Sequence, residues 1–378
     1  MKETFKDKIK NLFIEYNFRK YDFWLLILTI TIGYLGVRFV GSADSSYMER
    51  QRMGLILGLC FMIVLSFISY SFIIKFYWII YGISLFMLVL VRLYGDSGGG
   101  AARWFEFGGL RFQPSELVKI LLILFYAQFI MKREDNFNSI RIIILSTILV
   151  LPIFYLIFKQ PDLSTSIMIM VIFASVMFIG GLNIKIILAA LAAGIPALIF
   201  AVSYVIREDV DILDTYQKNR ILAWLHPEQY ANTEAYQTLN AITAIGSGQL
   251  SGKGLNNNVI ASVKNGNFIS EAQTDMIFAV IGEETGFIGG CIVLGLILLI
   301  VIECIRIALT AKDLAGSIIA GGMGCLIGFQ TFINIGVVTG LLPNTGLPLP
   351  FISYGLTSLV SLMIGMGIVM NVRLQTPR

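Results

Sequence analysis

Four carboxylates lie close together where a long polar segment of the chain runs into an apolar run. They are Glu271, Asp275, Glu283 and Glu284. A carboxylate is expensive at bilayer depth, so acids at such a junction are functional candidates by default. An ionised carboxylate that faces an aqueous cleft can accept a proton from a hydroxyl group or bind a cation. The stretch therefore predicts acid–base or cation chemistry at a membrane surface.

Asp275 comes at the predicted N-terminus of the eighth apolar helix, where the helix dipole would favour its ionised form. The alternative is a charge that only anchors the helix end. Glu283 and Glu284 are adjacent, and adjacent helical residues point about 100° apart. At most one of the two faces a given cleft, and the other should pair inside the bundle. The alternative for this pair is a structural salt bridge or a kink near Gly282 and Gly286.

Glu116 and Lys119 begin the fourth apolar run, directly after Pro114. Their i,i+3 spacing places them on one helix face, where they can pair. Asp162, in the next turn on the same side of the membrane, is a candidate for the same polar cluster. The alternative is an ion network that has only a structural role.

Several basic residues are predicted to lie outside the membrane, against the usual insertion bias. Together they fit an anionic ligand such as a lipid pyrophosphate. This set comprises Arg103, Arg111, Lys159, Lys218, Arg220 and Lys253. The glycine-rich residues 246–254 superficially resemble a nucleotide phosphate loop, but the spacing does not match that motif. We reject a nucleotide site there and expect a turn that holds a phosphate or shapes the loop.

The elements that must position these residues are membrane helices. The chain is 56% hydrophobic and 14% charged, which excludes an ordinary soluble domain. Apolar runs of spanning length are too long and continuous for barrel strands. They predict an all-α polytopic membrane protein, one domain over 1–378, with about ten transmembrane helices and a long extracellular loop, 207–274, between helices 7 and 8. The predicted spans are 23–40, 54–74, 76–93, 114–131, 140–158, 164–181, 184–206, 276–306, 315–341 and 351–372.

The distribution of Lys and Arg sets the orientation. The predicted inner segments carry more of them than the short outer segments, which favours a cytoplasmic N-terminus, 1–22, and both termini inside. Three outer segments then stand out, at about 94–113, 207–274 and 338–354. The only histidine is His226 and the four cysteines have no CxxC spacing. A His/Cys metal site and a Ser-His-Asp triad are therefore improbable, and any acid–base chemistry falls to carboxylates.

Four blocks of this chain resemble the SEDS family (shape, elongation, division and sporulation), the RodA/FtsW-type peptidoglycan polymerases. The first is Arg103 and Trp104 followed by QPSELVK at 113–119. The second is QKNRI at 217–221. The third is EAQTDMIFAVIGEE at 271–284, and the last is PLPFISYG at 348–355. Their order along nearly the whole chain makes the resemblance specific.

The resemblance implies a glycosyltransferase that polymerises lipid II with inversion, and Asp275 matches the family's essential aspartate. It implies membrane-embedded substrates, lipid II and a glycan on undecaprenyl pyrophosphate, and a class B penicillin-binding protein as partner in the bacterial plasma membrane. We expect no nucleic-acid partner, and a divalent cation, Mg or Mn, stays open as a cofactor. The expected substrate-binding or cleft-supporting residues are Arg103, Trp104, Glu116, Lys119, Asp162, Lys218, Arg220, Glu271, Glu283, Ser353 and Tyr354.

The sequence departs from the family pattern at three positions. Gln273 stands where many members have histidine, Ala102 replaces an arginine, and Leu356 replaces a common glycine. None of these changes touches Asp275. Two other functions remain open: a flippase that moves the same lipid across the bilayer, and a non-catalytic scaffold for a cell-wall synthase.

Overall fold

The structure is a computed structural model that describes residues 20–95, 103–107, 110–205, 215–255, 269 and 271–376. Helices dominate these residues, and two short strands form one antiparallel hairpin. The main elements are α1 (Phe23–Ala43), α2 (Ser45–Ser66), α3 (Tyr77–Tyr94), β1 (Phe105–Phe107), β2 (Leu110–Phe112), α4 (Pro114–Met131), α5 (Ile140–Phe158), α6 (Leu163–Ile179), α7 (Ile184–Val205), α8 (Thr215–Leu225), α9 (Tyr236–Ser247), α10 (Ile277–Leu309), α11 (Leu314–Val338) and α12 (Leu356–Leu374). Short helical turns, Tyr70–Ile73, Ile74–Phe76 and Glu134–Asn136, join some of them.

The helices confirm the predicted multi-pass architecture. Within the described residues, seven helical segments are long and apolar enough to cross a membrane, and α6 and the first half of α7 are shorter apolar helices. With α2, which carries charges near its start, they account for the predicted set of about ten. The predicted cytoplasmic segment 1–22 lies almost entirely outside the described residues.

The predicted second span, 54–74, has the wrong boundaries. The helix is Ser45–Ser66, although the following residues are apolar. Asn371 on α12 decides where it ends, because its Nδ2 donates to the Ser66 carbonyl at 2.9 Å and its Oδ1 accepts from the Tyr70 N–H at 2.8 Å. A buried tertiary hydrogen-bond pair thus overrides the local hydropathy.

The predicted tenth span, 351–372, begins too early. Helix α12 starts at Leu356, because the preceding residues form a tight turn. The Ser353 hydroxyl accepts from the Leu349 N–H at 2.7 Å, and the Ser353 N–H donates to the Leu349 carbonyl at 3.1 Å. This turn keeps the residues that precede α12 at the mouth of the bundle.

Three helices form the buried centre of the bundle. Most of the spanning windows of α4, α11 and α12 are buried, at 83%, 67% and 78%, against 22% for α5. Polar side chains on these three helices are therefore shielded from lipid by their neighbours. The C-terminal end of α11 and the N-terminal ends of α4, α10 and α12 share one end of the bundle, together with the β1–β2 hairpin and the segment that contains α8 and α9.

Candidate functional site

Asp275 lies immediately before α10, at the end of the bundle formed by the N-terminal ends of α4, α10 and α12. Met276 occupies the N-cap position of the helix, so Asp275 is outside the helix rather than at its N-terminus as predicted. Its Oδ1 accepts from the Thr274 hydroxyl at 3.2 Å. Its backbone carbonyl accepts from Asn334 Nδ2 at 2.7 Å. The residue as a whole is partly buried.

Arg220 approaches Asp275 from the long loop. It extends from α8, and its Nη1 donates to the carbonyl of Asn344 at 3.2 Å. Gly346 lies between the two charged groups: a Cβ there would be 3.7 Å from Asp275 Oδ2 and 4.0 Å from Arg220 Nη1. The structure therefore brings together the long loop, the 271–276 segment and the third outer segment around one carboxylate.

The environment raises the pKa of Asp275. Burial is the main cause, the positive charge of Arg220 opposes it, and the negative charge of Glu271 adds a smaller increase. The predicted stabilisation of the ionised form by the helix dipole does not dominate, because the carboxylate precedes the helix and loses water on folding. A carboxylate with a raised pKa is a stronger proton acceptor, which suits general-base chemistry.

Glu116 and Lys119 form a buried ion pair near the N-terminal end of α4. The Lys119 Nζ lies 2.8 Å from Glu116 Oε1, and the side chains are only 1% and 5% exposed. Lys119 Nζ also donates to Gln330 Oε1 at 2.9 Å, and Gln330 Nε2 donates to the Pro348 carbonyl at 2.9 Å. The predicted pairing is present, and it supports the segment that carries Gly346.

Sequence reasoning missed two residues that position the site, Gln330 and Asn334. Asn334 Nδ2 donates to the carbonyls of both Asp275 and Leu347 at 2.7 Å. It thereby fixes the backbone before α10 against the loop that holds Gly346. The signal was available, because Gln330 and Asn334 are spaced i,i+4 on one face of an apolar helix.

Asp162 belongs to a different set of contacts from the Glu116–Lys119 pair. It caps α6, where Oδ1 accepts from the Thr165 N–H at 3.0 Å and Oδ2 from the Thr165 hydroxyl at 2.9 Å. Gln113 Nε2 also lies 3.3 Å from its Oδ2. Asp162 therefore caps α6 and contacts Gln113 before α4, and the sequence-based proposal that it shares a cluster with Glu116 and Lys119 stays a prediction.

Arg103 holds the turn beside Asp162. Its Nε donates to the Gln160 carbonyl at 2.9 Å, and its Nη2 donates to the Pro161 carbonyl. Trp104 follows it at the start of the hairpin and is partly buried. These contacts give Arg103 a structural role, because they fix the turn before α6.

Both glutamates in α10 pair, as the sequence allowed. Glu283 Oε1 lies 2.8 Å from Lys253 Nζ, and Glu284 accepts from the Ser42 hydroxyl on α1. The kink predicted as an alternative near Gly286 is present, with φ 66° and ψ −166° at this residue. The two glutamates are therefore held by the bundle and the long loop.

The glycine-rich segment after α9, residues 246–254, packs against the kink of α10 at Gly286. The N–H groups of Lys253 and Gly254 donate to the carbonyls of Glu283 and Glu284 at 3.0 and 2.9 Å. In return, the Phe287 N–H donates to a loop carbonyl at 2.8 Å. Side chains at Gly248 and Gly252 would collide with the α10 backbone. These glycines serve close backbone packing, so shaping of the loop is the interpretation that the structure favours over phosphate binding.

The remaining predicted residues line the same end of the bundle. The Tyr354 N–H donates to the Gln273 carbonyl at 2.8 Å, which ties the segment before α12 to the one before Asp275. The Tyr354 ring packs on Tyr47 with centroids 4.5 Å apart. Lys218 lies on α8 and is partly buried, and Glu271 is exposed at the start of the 271–276 segment.

The residues around Asp275 do not form a preassembled metal site. Within the described part of the chain, no group of three or more His, Cys, Asp or Glu side chains could hold a metal ion. Of the two charged groups that act on Asp275, the Arg220 guanidinium has the larger effect and the Glu271 carboxylate the smaller. A single carboxylate is a poor ligand set for Mg²⁺ without further oxygen ligands.

Comparisons with known proteins agree with this architecture. The model of the FtsW/RodA/SpoVE family, described as cell cycle proteins, matches residues 21–377. The chain is similar to the peptidoglycan glycosyltransferase MrdB of Escherichia coli K12, at 35% identity over 92% of both chains. It is also similar to the probable peptidoglycan glycosyltransferase FtsW of Geobacter metallireducens, at 33% identity over 93% of this chain and 94% of the relative.

Two solved structures share the fold. A chain of a peptidoglycan synthase complex that coordinates polymerization and crosslinking superimposes with a TM-score of 0.79 and 31% identity, covering 93% of this chain and 97% of the other. The rod shape determining protein RodA of Thermus thermophilus superimposes with a TM-score of 0.67 and 29% identity, covering 93% of this chain and 96% of the other.

Proposed function

We propose that this chain, which belongs to the FtsW/RodA/SpoVE family, is a peptidoglycan glycosyltransferase that polymerises lipid II at the outer face of the plasma membrane. One observation carries the proposal. The carboxylate of Asp275, whose pKa is raised, lies at one end of the membrane bundle. Its Oδ2 and the Arg220 Nη1 both lie beside Gly346, which has no side chain to fill the space between them. The names of its relatives, peptidoglycan glycosyltransferases, support the same reaction.

The proposed reaction is one direct displacement. The sugar 4-hydroxyl of lipid II attacks the anomeric carbon of the growing glycan, and Asp275 takes the hydroxyl proton. As the new C–O bond forms, the bond from the anomeric carbon to the pyrophosphate oxygen breaks. Undecaprenyl pyrophosphate leaves with the electron pair. A single displacement turns the α-linked donor into a β-linked polymer, so the configuration inverts.

The positive groups at this mouth suit the leaving group. Charge develops on the pyrophosphate oxygens in the transition state, and a preorganised cation beside the reacting atoms stabilises it. Arg220 is held in position for this role by the Asn344 carbonyl. Lys218 lies two residues earlier on α8 and points to nearly the opposite side of that helix, so Arg220 is the cation assigned to the leaving group. The ion pair of Glu116 and Lys119 acts indirectly, through Gln330 and the segment that carries Gly346.

The proposed setting is the bacterial plasma membrane, with both termini cytoplasmic and a class B penicillin-binding protein as partner. The bias of Lys and Arg toward the opposite end of the bundle supports the orientation. The similarity to a chain of a synthase complex that couples polymerization to crosslinking supports the partner. A partner that crosslinks new strands would use the product of this site directly.

The test is polymerisation of labelled lipid II by the purified protein, with and without a co-purified class B penicillin-binding protein. We expect ladders of glycan products in detergent, where there is no sealed bilayer to cross. No ladders in detergent, together with lipid II movement across liposome membranes, would identify a flippase instead. No product and no movement under either condition would leave the scaffold function.

Replacing Arg220 by glutamine is expected to shift the acid limb of the pH–rate profile. The reaction needs ionised Asp275, so the rate falls as the pH drops through the pKa of this carboxylate. Arg220 lowers that pKa, so its removal should raise it and move the acid limb to higher pH. Arg220→Lys keeps the charge and should leave the limb in place. Glu271→Gln should move the acid limb slightly to lower pH. An acid limb that stays in place in both Arg220→Gln and Glu271→Gln would contradict the assignment of this limb to Asp275.

Replacing Gly346 by alanine is expected to lower the polymerisation rate about tenfold or more, because the methyl group enters the gap between Asp275 and Arg220. Gly346 has a φ of +72°, so the substitution also costs about 1 kcal/mol of backbone strain. Gly181→Ala is the matched control, since Gly181 has a φ of +87° and open space around it. Equal rates for the two variants would show that the gap is not the reaction site.

A further inference from the structure

A pocket opens beside Arg220, on the side of this residue that faces the long loop. The empty space of the pocket, together with the solvent at its opening, is about 490 Å³. Helices α8 and α9 and the segment after α11 form its walls. Two of its lining residues, Arg220 and Asn344, also border the Asp275 site, so the pocket continues from the reacting groups.

The walls of the pocket are apolar, with a rigid aromatic ring at the mouth. Trp224 lines the pocket and is 40% exposed. Its indole Nε1 donates to the Gly340 carbonyl at 3.3 Å, which fixes the ring. Leu239 and Leu342 line the deeper part. The indole ring, held by this hydrogen bond, presents a flat apolar face to a ligand in the pocket.

Polar side chains also line the pocket and can hydrogen-bond a ligand that packs on the Trp224 ring. Glu234 lines the pocket, and its Oε1 accepts from Asn219 Nδ2 at 2.9 Å. Hydrogen bonds from Thr233 and then Asn219 lower its pKa, so it remains an ionised acceptor. An ionised carboxylate accepts strong hydrogen bonds from hydroxyl and amide groups. An aromatic face with carboxylate and amide groups at its edge matches a pyranose ring, which has apolar C–H faces and polar hydroxyls around its rim.

We propose that the pocket bounded by Trp224, Glu234 and Arg220 is a saccharide subsite that holds an N-acetylhexosamine unit next to Asp275. The inference rests on the proposed polymerase function and assigns substrate contacts to residues of the long loop. The same sugar chemistry occurs in two sources, the lipid-linked acceptor and the growing glycan. The pocket orients the sugar that enters or leaves the Asp275 site, and Trp224 packs on one face of its ring.

The test compares Trp224→Ala, Trp224→Phe and a control, Trp78→Ala, in the purified full-length protein with labelled lipid II. Trp78 on α3 is similarly exposed, at 47%, but lies on a membrane-spanning segment. We expect Trp224→Ala to raise the KM for lipid II about tenfold with a small change in kcat, or to shorten the glycan ladders. The first pattern assigns the pocket to the acceptor, and the second to the growing glycan. Trp224→Phe should recover most of the loss, and Trp78→Ala should match wild type.

A binding measurement separates this inference from the proposed function. The probe is the soluble disaccharide of N-acetylglucosamine and N-acetylmuramic acid, titrated against the Asp275→Asn protein with isothermal titration calorimetry as the readout. Binding that disappears in an Asp275→Asn, Trp224→Ala double variant supports the subsite even if wild type makes no glycan. Active polymerisation with unchanged KM and ladder length in Trp224→Ala would overturn the subsite and leave the polymerase intact.

Discussion

The Asp275→Asn protein is expected to polymerise lipid II about 10²–10⁴ times more slowly than wild type, the range that a positioned general base contributes. Asparagine has nearly the same shape and can keep the hydrogen bond from Thr274. The bond from Asn334 goes to the backbone carbonyl and is unaffected. The variant therefore loses the proton acceptor without losing the contacts that hold the segment. Initial rates from glycan ladders measure the effect, and the thermal midpoint in detergent checks the fold.

Glu271→Gln is the matched control for this experiment. It removes a carboxylate from the same segment, but Glu271 is exposed and affects Asp275 only through its charge. We expect its rate at neutral pH to stay within a few-fold of wild type. Glycan ladders that persist at the wild-type rate in Asp275→Asn would place the base elsewhere, and Glu283 would be the next residue to replace.

Replacing Lys119 by methionine is expected to destabilise the protein by roughly 3–5 kcal/mol, because it leaves the Glu116 carboxylate buried without its partner. Both side chains lie in the shielded centre of the bundle. Gln330 also loses the ammonium group that fixes it, so the Pro348 segment and Gly346 should loosen. The expected result is a clear fall of the thermal midpoint in detergent, with a lower polymerisation rate.

Two further variants test whether the loss of stability in Lys119→Met comes from burial of the ion pair. Arg52→Met breaks another i,i+3 ion pair, with Glu49, whose side chains are 58% and 63% exposed. Exposed pairs contribute about 0–1 kcal/mol, so its midpoint should hardly change. The double variant Glu116→Gln, Lys119→Met removes both charges and should recover part of the loss. A midpoint for Lys119→Met equal to that of Arg52→Met would refute the argument.

Hydropathy alone predicted the helices well where lipid is the solvent. Spans such as Pro114–Met131 and Ile140–Phe158 have the predicted bounds, because backbone in a bilayer must be helical and must be long enough to cross it. The prediction failed at the ends of α2 and α12, where Asn371 and Ser353 make tertiary and turn hydrogen bonds. Local hydropathy carries no information about such partners.

The sequence by itself determined a helical membrane protein, the end of the bundle that holds the acids, and Asp275 as the candidate base. It could do so because apolar length, charge bias and motif order are local properties of the chain. Only the tertiary structure decided which groups meet. It brought Arg220 and Gly346 to Asp275, placed Asp162 at the cap of α6, and packed the glycine-rich segment against the kink at Gly286. These contacts join residues far apart in the chain, and the loss of water at their meeting point sets the pKa of Asp275.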